Sequence, residues 1–191
     1  MEEIWLRITV WIESNAPHLL EVLQPGASEA QISELESSLS IVLPDDVKAL
    51  YLLCNGQSVC NYGIINGNEF LSLERIKDEW SIWKDLLDAD EFAEHDNTES
   101  NRIDPEIRNT WWSSKWIPLT YNGSGDHDCL DLDPTERGTI GQIITMWHDD
   151  DERKVIASGI RAWLQQYSEQ LEAGQLVFSE EYNGIVSVDD V

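Results

Sequence analysis

Apolar residues recur every three or four positions through the first 54 residues of the chain, and this spacing predicts amphipathic helices. Pro25-Gly26 separates the first helical segments from the next one. Ser28 stands three residues before Gln31, the pattern of a capping box at a helix start. Pro44 opens a further helix, which Asn55-Gly56 is expected to close. The apolar positions of the first and last helices are Ile4, Trp5, Ile8, Trp11 and Ile12, then Val47, Leu50, Tyr51 and Cys54.

Beyond residue 56 the apolar runs become shorter and turn residues separate them. Asn66-Gly67 lies between the runs 63–65 and 70–71 and predicts a tight β-hairpin. Ser72 then caps a helix whose buried face carries Ile76, Trp80, Trp83 and Leu87. Residues 88–106 hold eight acids and one arginine, which predicts an acidic mobile loop, and Asp104-Pro105 begins a short helix that ends near Trp111 and Trp112.

Three strand-like runs follow in quick succession, at residues 116–121, 127–133 and 141–147. Because short turns join them, they predict an antiparallel meander, which we expect at the centre of the sheet.

The remaining pattern completes the domain. An amphipathic helix with an inner face from Val155 to Leu171 is expected to end at Gly174, and a hairpin around Asn183-Gly184 pairs residues 176–178 with 185–188. No repeat and no long linker divides the chain. The sequence therefore predicts one α+β domain over residues 1–191.

The charge excludes several classes of partner. The chain has 12 Lys and Arg against 37 Asp and Glu, a formal net charge of −25. Such a field repels nucleic-acid phosphates and anionic lipids and attracts basic partners. We therefore expect a protein partner, no direct nucleic-acid binding and no membrane binding.

The chain shows no signs of secretion. The acidic N-terminus lacks the basic region of a secretory signal, and the longest apolar run, 49–54, is too short to span a bilayer. Cys54, Cys60 and Cys129 lack a paired spacing and indicate reduced thiols. We expect a cytoplasmic protein.

The densest polar segment runs from Gly125 to Asp133. One interpretation is a metal site or an acid–base pair that also uses His148 and Asp149. Leu130 and Leu132 interrupt the oxygen series that a calcium loop requires, which favours a strand with one solvated face and acids in the turns. Nucleophile-elbow, Walker and dinucleotide-binding motifs are absent from the sequence. We therefore predict no catalytic residue, no cofactor and no metal.

Several short motifs together resemble the SUKH superfamily, which includes the Smi/Knr cell-wall-assembly regulators of yeast and many bacterial single-domain proteins. The resemblance extends from Trp5 to about Gly174 and implies a non-enzymatic α+β binding domain, with helices packed around a twisted, mainly antiparallel sheet. It transfers no catalytic or partner-binding residue. The motifs are Leu43-Pro44-Asp45-Asp46, Leu50-Tyr51, Asn55-Gly56-Gln57, Trp116-Ile117-Pro118-Leu119, Gly123, Gly125, Asp126, Leu130-Asp131-Leu132-Asp133-Pro134 and Gly138.

Within this resemblance, two functions are open. Bacterial members are implied to be immunity proteins that neutralise a co-encoded toxin, commonly a nuclease, and a chain without long flanks fits that type. The acidic charge suits a basic toxin, so immunity is the leading hypothesis. The alternative is an intracellular scaffold or regulatory adaptor of the cell-wall-regulator type, and a lesser alternative is a metal-dependent hydrolase. Oligomeric state stays open. The candidate partner-binding residues are Asp126, Asp128, Asp131, Asp149, Asp150 and Asp151.

Overall fold

The computed structural model describes residues 1–92 and 102–191, and these form five α-helices, several small antiparallel sheets and two 3₁₀ helices. The expected α+β class is confirmed. No helix of the described residues combines the length and the apolar character needed to cross a membrane. The α-helices are α1 (Glu2–Asn15), α2 (Glu29–Leu39), α3 (Asp45–Leu53), α4 (Leu73–Asp88) and α5 (Ile160–Glu172), and the 3₁₀ helices are Pro17–Glu21 and Val188–Asp190.

Two of the predicted helix starts, the caps at Ser28 and Ser72, are confirmed. The backbone N–H of Gln31 donates to Ser28 Oγ at 3.3 Å while the backbone N–H of Ser28 donates to Gln31 Oε1 at 2.9 Å, a reciprocal capping box. Ser72 accepts from the N–H of Arg75 in the same way at α4. At α3 the predicted end is wrong. The helix stops at Leu53 and the chain continues directly as a strand through Gly56, whose φ of +67° lies in the left-handed region.

The main sheet has four strands in the order β4-β6-β7-β8, and all neighbours are antiparallel. The predicted meander is confirmed as its first three strands, but its first strand lies at the edge of the sheet and not at the centre. The run predicted as one strand over 116–121 is also divided, because residues 120–121 form a separate strand that pairs outside this sheet. The fourth strand corrects our expectation, because Val155 and Ile156 extend along β7 and the helix begins only after Ser158-Gly159. The strands are β4 (Trp116–Pro118), β5 (Thr120–Tyr121), β6 (His127–Asp131), β7 (Gln142–Met146) and β8 (Val155–Ala157).

The smaller sheets are two-stranded. The C-terminal hairpin of β9 (Leu176–Ser179) and β10 (Gly184–Ser187) forms as predicted. Around Asn66-Gly67 only the turn is confirmed, with both φ angles positive and a single bridge from Ile65 to Asn68. The expected partner strand is wrong, since β3 (Glu69–Phe70) pairs with β5 about 50 residues later. The remaining pair is β1 (Leu23–Pro25) with β2 (Cys54–Gln57).

The segment between α4 and β4 contains turns instead of the short helix predicted at Asp104. The carboxylate of Asp104 does not cap a helix there. It accepts the backbone N–H of Val155 at 2.9 Å and pairs with Lys154 at 3.3 Å. This carboxylate therefore anchors the segment to β8. The centre of the predicted acidic loop, residues 93–101, lies outside the described residues.

Both faces of the main sheet are buried. One face, with Leu130 and Ile143, packs on the large core formed by helices α1, α2, α3 and α5. The other face is covered by a second cluster in which Trp83 of α4 and Trp112 lie against Cys129 and Ile144. Trp112 is buried and its neighbour Trp111 is partly exposed, as two adjacent residues in one turn require. A strand within this sheet therefore has no solvated face.

Candidate functional site

The start of β6 and the end of β7 meet at one end of the main sheet, where Asp126 and His148 contact each other. The backbone N–H and the ring Nδ1 of His148 lie 2.9 Å from Asp126 Oδ1, and Asn122 donates to Oδ2 at 2.7 Å. Partial burial opposes ionisation, but these hydrogen bonds from His148 and Asn122 still lower the pKa of Asp126. Gly125, with φ of +114°, allows the His148 ring to lie where a Cβ would be only 3.0 Å from its side chain.

Asp149 extends this pair into a cluster of three possible metal ligands. One ligand atom each from Asp126, His148 and Asp149 lies within 4.8 Å of the others. Two carboxylates and an imidazole could hold a divalent cation only with the imidazole neutral. The hydrogen bond to Asp126 instead raises the pKa of His148 and so favours its protonated form. His148 and Asp126 therefore form an ion pair, and Asp149 lies beside it.

Asp150 and Asp151 also lie at this end of the sheet, but they have a cationic partner. Nη1 of Arg102 lies 2.6 Å from Asp150 Oδ1, and it contacts Asp151 as well. The hydrogen bond from Arg102 lowers the pKa of Asp150. Asp149 has a side chain that is 75% exposed and only a 3.8 Å contact with His148. Asp149 thus contributes the least compensated charge.

Asp128 lies one step further into the sheet and differs from the acids around it. Its backbone N–H donates to Thr120 Oγ1 and its carbonyl accepts from Leu119, both at 2.8 Å. Its carboxylate is partly buried and forms no hydrogen bond or ion pair within the described residues. Burial raises the pKa of Asp128 to about 6. The folded protein therefore carries a poorly solvated carboxylate at neutral pH.

Asp131 corrects the expectation of a solvated strand face, because its side chain has no exposed surface. The second aromatic cluster covers the face on which an exposed Asp131 was expected. Its carboxylate accepts Gln142 Nε2 at 2.9 Å and the N–H of Asp133 at 3.0 Å. Burial nevertheless raises its pKa. A side chain without exposed surface contacts no partner of the folded domain, so Asp131 is not part of the surface.

His127, which the sequence placed within the candidate polar segment, is a buried structural residue. Its Nε2 accepts the indole N–H of Trp83 at 3.1 Å, and its Nδ1–H donates to the carbonyl of Thr120 at 2.7 Å. Burial lowers its pKa to about 4, so the ring is neutral at physiological pH. The imidazole joins α4, β5 and β6.

Arg153 is a buried polar residue that the sequence did not reveal. Its side chain is fully buried and donates to the backbone carbonyls of Asp150, Glu152 and Trp111 at 2.6 to 3.0 Å. The guanidinium lies 5.4 Å from the ring centroid of Trp111 and 5.9 Å from that of Trp116. Burial lowers its pKa to about 10, which leaves it charged at neutral pH. Arg153 therefore holds the acid-bearing turn at 150–152 against the segment before β4.

The described residues do not form a nucleophile–base pair. His18 contacts aromatic rings, and His127 and His148 have the partners given above. Burial raises the pKa of Cys54 to about 12, and raises that of Cys129 as well, so neither thiol is a ready nucleophile. The chemistry that this end of the sheet supports is the electrostatic binding of cationic groups. We call Asp126, Asp149, Asp150 and Asp151 the acidic end surface.

Comparison with known proteins gives a family match over most of the chain. The sequence model of the SMI1/KNR4 family (SUKH-1) matches residues 26–166. Relatives include the cell wall biosynthesis/cell cycle regulator smi1 of Schizosaccharomyces pombe, 29% identical over 97% of this chain and 39% of the relative. A glucan synthesis regulatory protein of Neurospora crassa is 28% identical over 94% of this chain and 40% of the relative.

A third relative, the cell wall assembly regulator SMI1 of Saccharomyces cerevisiae, is 23% identical over 97% of this chain and 43% of the relative. The chain thus spans about two fifths of the length of these three curated relatives.

Proposed function

The chain belongs to the SMI1/KNR4 family (SUKH-1), and we propose from this that it is a non-enzymatic, protein-binding regulatory domain of the kind present in fungal cell-wall regulators. One observation carries the proposal: relatives named as regulators of cell-wall or glucan synthesis match 94–97% of this chain. None of these names describes a reaction.

The comparisons favour the alternative of the sequence analysis over its leading hypothesis. The relatives with printed functions are fungal regulators of the cell wall, and nothing in the comparisons supports toxin neutralisation or a bacterial setting. The acidic charge that suits a basic toxin suits a basic regulatory partner equally well. Charge alone therefore does not distinguish the two functions, whereas the named relatives do.

We place the protein contact on the acidic end surface. Asp126, Asp149, Asp150 and Asp151 lie where two strand ends meet, and Arg102 is the cation paired with two of them. Asp149 is left highly exposed. Exposed acids at a rigid sheet end attract basic side chains and accelerate association. Asp128 lies in β6, two residues after Asp126. A cationic partner would stabilise the ionised form of its partly buried carboxylate more than that of the exposed acids.

A chimera tests the regulatory role. The matching segment of the Schizosaccharomyces pombe relative is replaced by this chain, and growth is measured on a cell-wall-disrupting compound. If the domain supplies the regulatory function, the chimera grows at the wild-type level, whereas deletion of the segment causes sensitivity. A chimera as sensitive as the deletion strain, with the protein present at normal abundance, contradicts the proposal.

The same chimera tests the surface. We expect Asp149→Lys with Asp151→Lys to restore the sensitivity, since both changes reverse exposed charges while Arg102 keeps its contact with Asp150. The matched control is Glu180→Lys with Glu181→Lys, an equal charge change on two exposed residues of the C-terminal hairpin turn. Equal growth of the two double variants would show that the acidic end surface has no special role.

A further inference from the structure

Helix α1 presents apolar side chains on its outer face as well as its inner face. Ile4, Ile8 and Ile12 are buried in the large core. Leu6 and Val10, four residues apart on the opposite side, are 62% and 50% exposed. Side chains at i and i+4 lie above one another on a helix, so these two form a continuous apolar strip.

This strip continues into a groove between α1 and α3. An open depression of about 530 Å³ lies there, and its lining joins the outer face of α1 to the last turn of α3. Leu53, the last residue of α3, is partly exposed. The depression is lined by Glu2, Glu3, Trp5, Leu6, Thr9 and Leu53.

The rim of the groove is acidic. Glu2 and Glu3 are exposed and form no ion pair with any residue that the structure describes. Arg7, the basic residue of α1, instead forms an ion pair with Glu172 of α5 through a contact of 2.6 Å, and it attracts Glu3 only at longer range. The groove therefore combines an apolar floor with a negatively charged rim.

We propose that this groove, defined by α1 and α3, binds a basic amphipathic helix of a partner protein. The apolar side chains of the partner, spaced at i and i+4, contact Leu6, Val10 and Leu53. Its Lys and Arg side chains face Glu2 and Glu3. This is helix-in-groove recognition, in which the apolar contacts supply affinity and the charges supply orientation and selectivity. The groove lies on helices and is separate from the acidic end surface.

The probe is a fluorescein-labelled 18-residue helical peptide with leucines along one face and lysines elsewhere, and binding is measured by fluorescence anisotropy near physiological salt. We expect Leu6→Gln with Val10→Gln to weaken binding at least about ten-fold, as the loss of buried aliphatic contacts implies. Glu2→Gln with Glu3→Gln should weaken it by about three-fold or more, and this loss should shrink as salt rises. A peptide with glutamate in place of lysine should not bind.

The matched control is Ile82→Gln with Leu86→Gln on α4, a second exposed apolar pair at i and i+4. It should leave binding unchanged within about two-fold. Since all these side chains are exposed, the unfolding midpoints should stay close to that of the parent. If the Leu6 and Val10 variant is misfolded, the single change Leu6→Gln replaces it. Equal losses in groove and control variants, or no binding of the lysine peptide, would overturn the proposal. A homodimer that Leu6→Gln with Val10→Gln dissociates in sedimentation equilibrium would assign the groove to a second copy and equally overturn it.

Discussion

The partly buried carboxylate of Asp128 gives the sharpest prediction about this fold. Burial raises its pKa to about 6, and the carboxylate has no hydrogen-bond or ion-pair partner among the described residues. In the unfolded chain an aspartate titrates near 3.9. Because the folded pKa is the higher one, folding is penalised whenever Asp128 is ionised. The contribution of Asp128 to stability therefore falls as pH rises from about 4 to about 6 and stays low above that.

The predicted magnitude follows from the size of the shift. Two pKa units correspond to about 3 kcal/mol of destabilisation at pH 8. Because part of the side chain remains in contact with water, we take this as an upper bound and expect about 1 to 3 kcal/mol. Asp128→Asn has nearly the same shape and no charge, so it should stabilise the folded protein by that amount at pH 8. At pH 5 the gain should be about half as large.

Urea unfolding at pH 8 and pH 5 measures both values and avoids the isoelectric region near 4.1. The control is Asp126→Asn, which alters a carboxylate that accepts hydrogen bonds from His148 and Asn122 and should destabilise the protein at pH 8. A loss of stability in Asp128→Asn at pH 8, or a gain that does not depend on pH, would refute the reasoning. Direct titration of the Asp128 carboxyl carbon by NMR gives the pKa independently.

Two further predictions concern the buried polar residues. His127→Ala should cost about 3 kcal/mol at pH 7, because the indole N–H of Trp83 and the carbonyl of Thr120 lose their partner. The folded pKa of His127, about 4, lies below the unfolded value, so the parent protein loses about 2 kcal/mol of stability between pH 7 and pH 5. The His127→Ala variant has no imidazole to protonate and does not lose this stability. Urea unfolding should therefore show a smaller difference in stability between the parent and the variant at pH 5 than at pH 7. Arg153→Met should cost about 3 kcal/mol, since three backbone carbonyls lose a donor. Thermal unfolding should show Arg153→Lys recovering only part of that loss, and an unchanged midpoint in the Met variant would contradict the assigned role.

The local elements could be predicted from the sequence because their signals are local. The serine caps, the helix periodicity and the turn residues lie within a few positions of the structure that they specify. Pairing partners are not specified in this way. The strand at Phe70 pairs with Thr120 where Phe70, Leu71 and Leu119 lie in the same core, and no feature near residue 70 indicates a partner 50 residues later.

The helix expected at Val155 shows a different failure. Two β-branched residues ahead of Ser158-Gly159 fit a short strand better than a helix, and the apolar spacing alone does not decide between them. The strand forms because the edge of β7 is open to it and because Asp104 accepts the N–H of Val155. Tertiary contacts, which the local pattern does not contain, thus selected the strand.

The candidate site was predicted only in outline. The sequence placed acids at strand ends, and the structure brings Asp126 and Asp149 together there. The sequence did not predict that Asp131 is buried, because its burial follows from the aromatic cluster on the second face of the sheet. The adjacent tryptophans of the sequence were the available signal for such a cluster, since large aromatic side chains need a buried surface of their own.

The ion pairs of the fold use several of the few basic residues and so leave most of the acidic side chains without a cationic partner. Among the described bases, Arg7, Lys48 and Arg102 are each bound to carboxylates, while Arg153 is buried against backbone carbonyls. With 12 basic residues against 37 acids, pairing of this kind leaves most carboxylates without a cation. Exposed pairs add little stability and the surplus acids repel one another, so the composition does not serve the fold. In the proposed function this surplus attracts basic partners, and because it is spread over the whole surface, only apolar contacts or closely placed acids give a basic partner a particular place to bind. The groove between α1 and α3 and the acidic end surface have such local features, and the variants proposed for each leave most of the net charge of −25 unchanged.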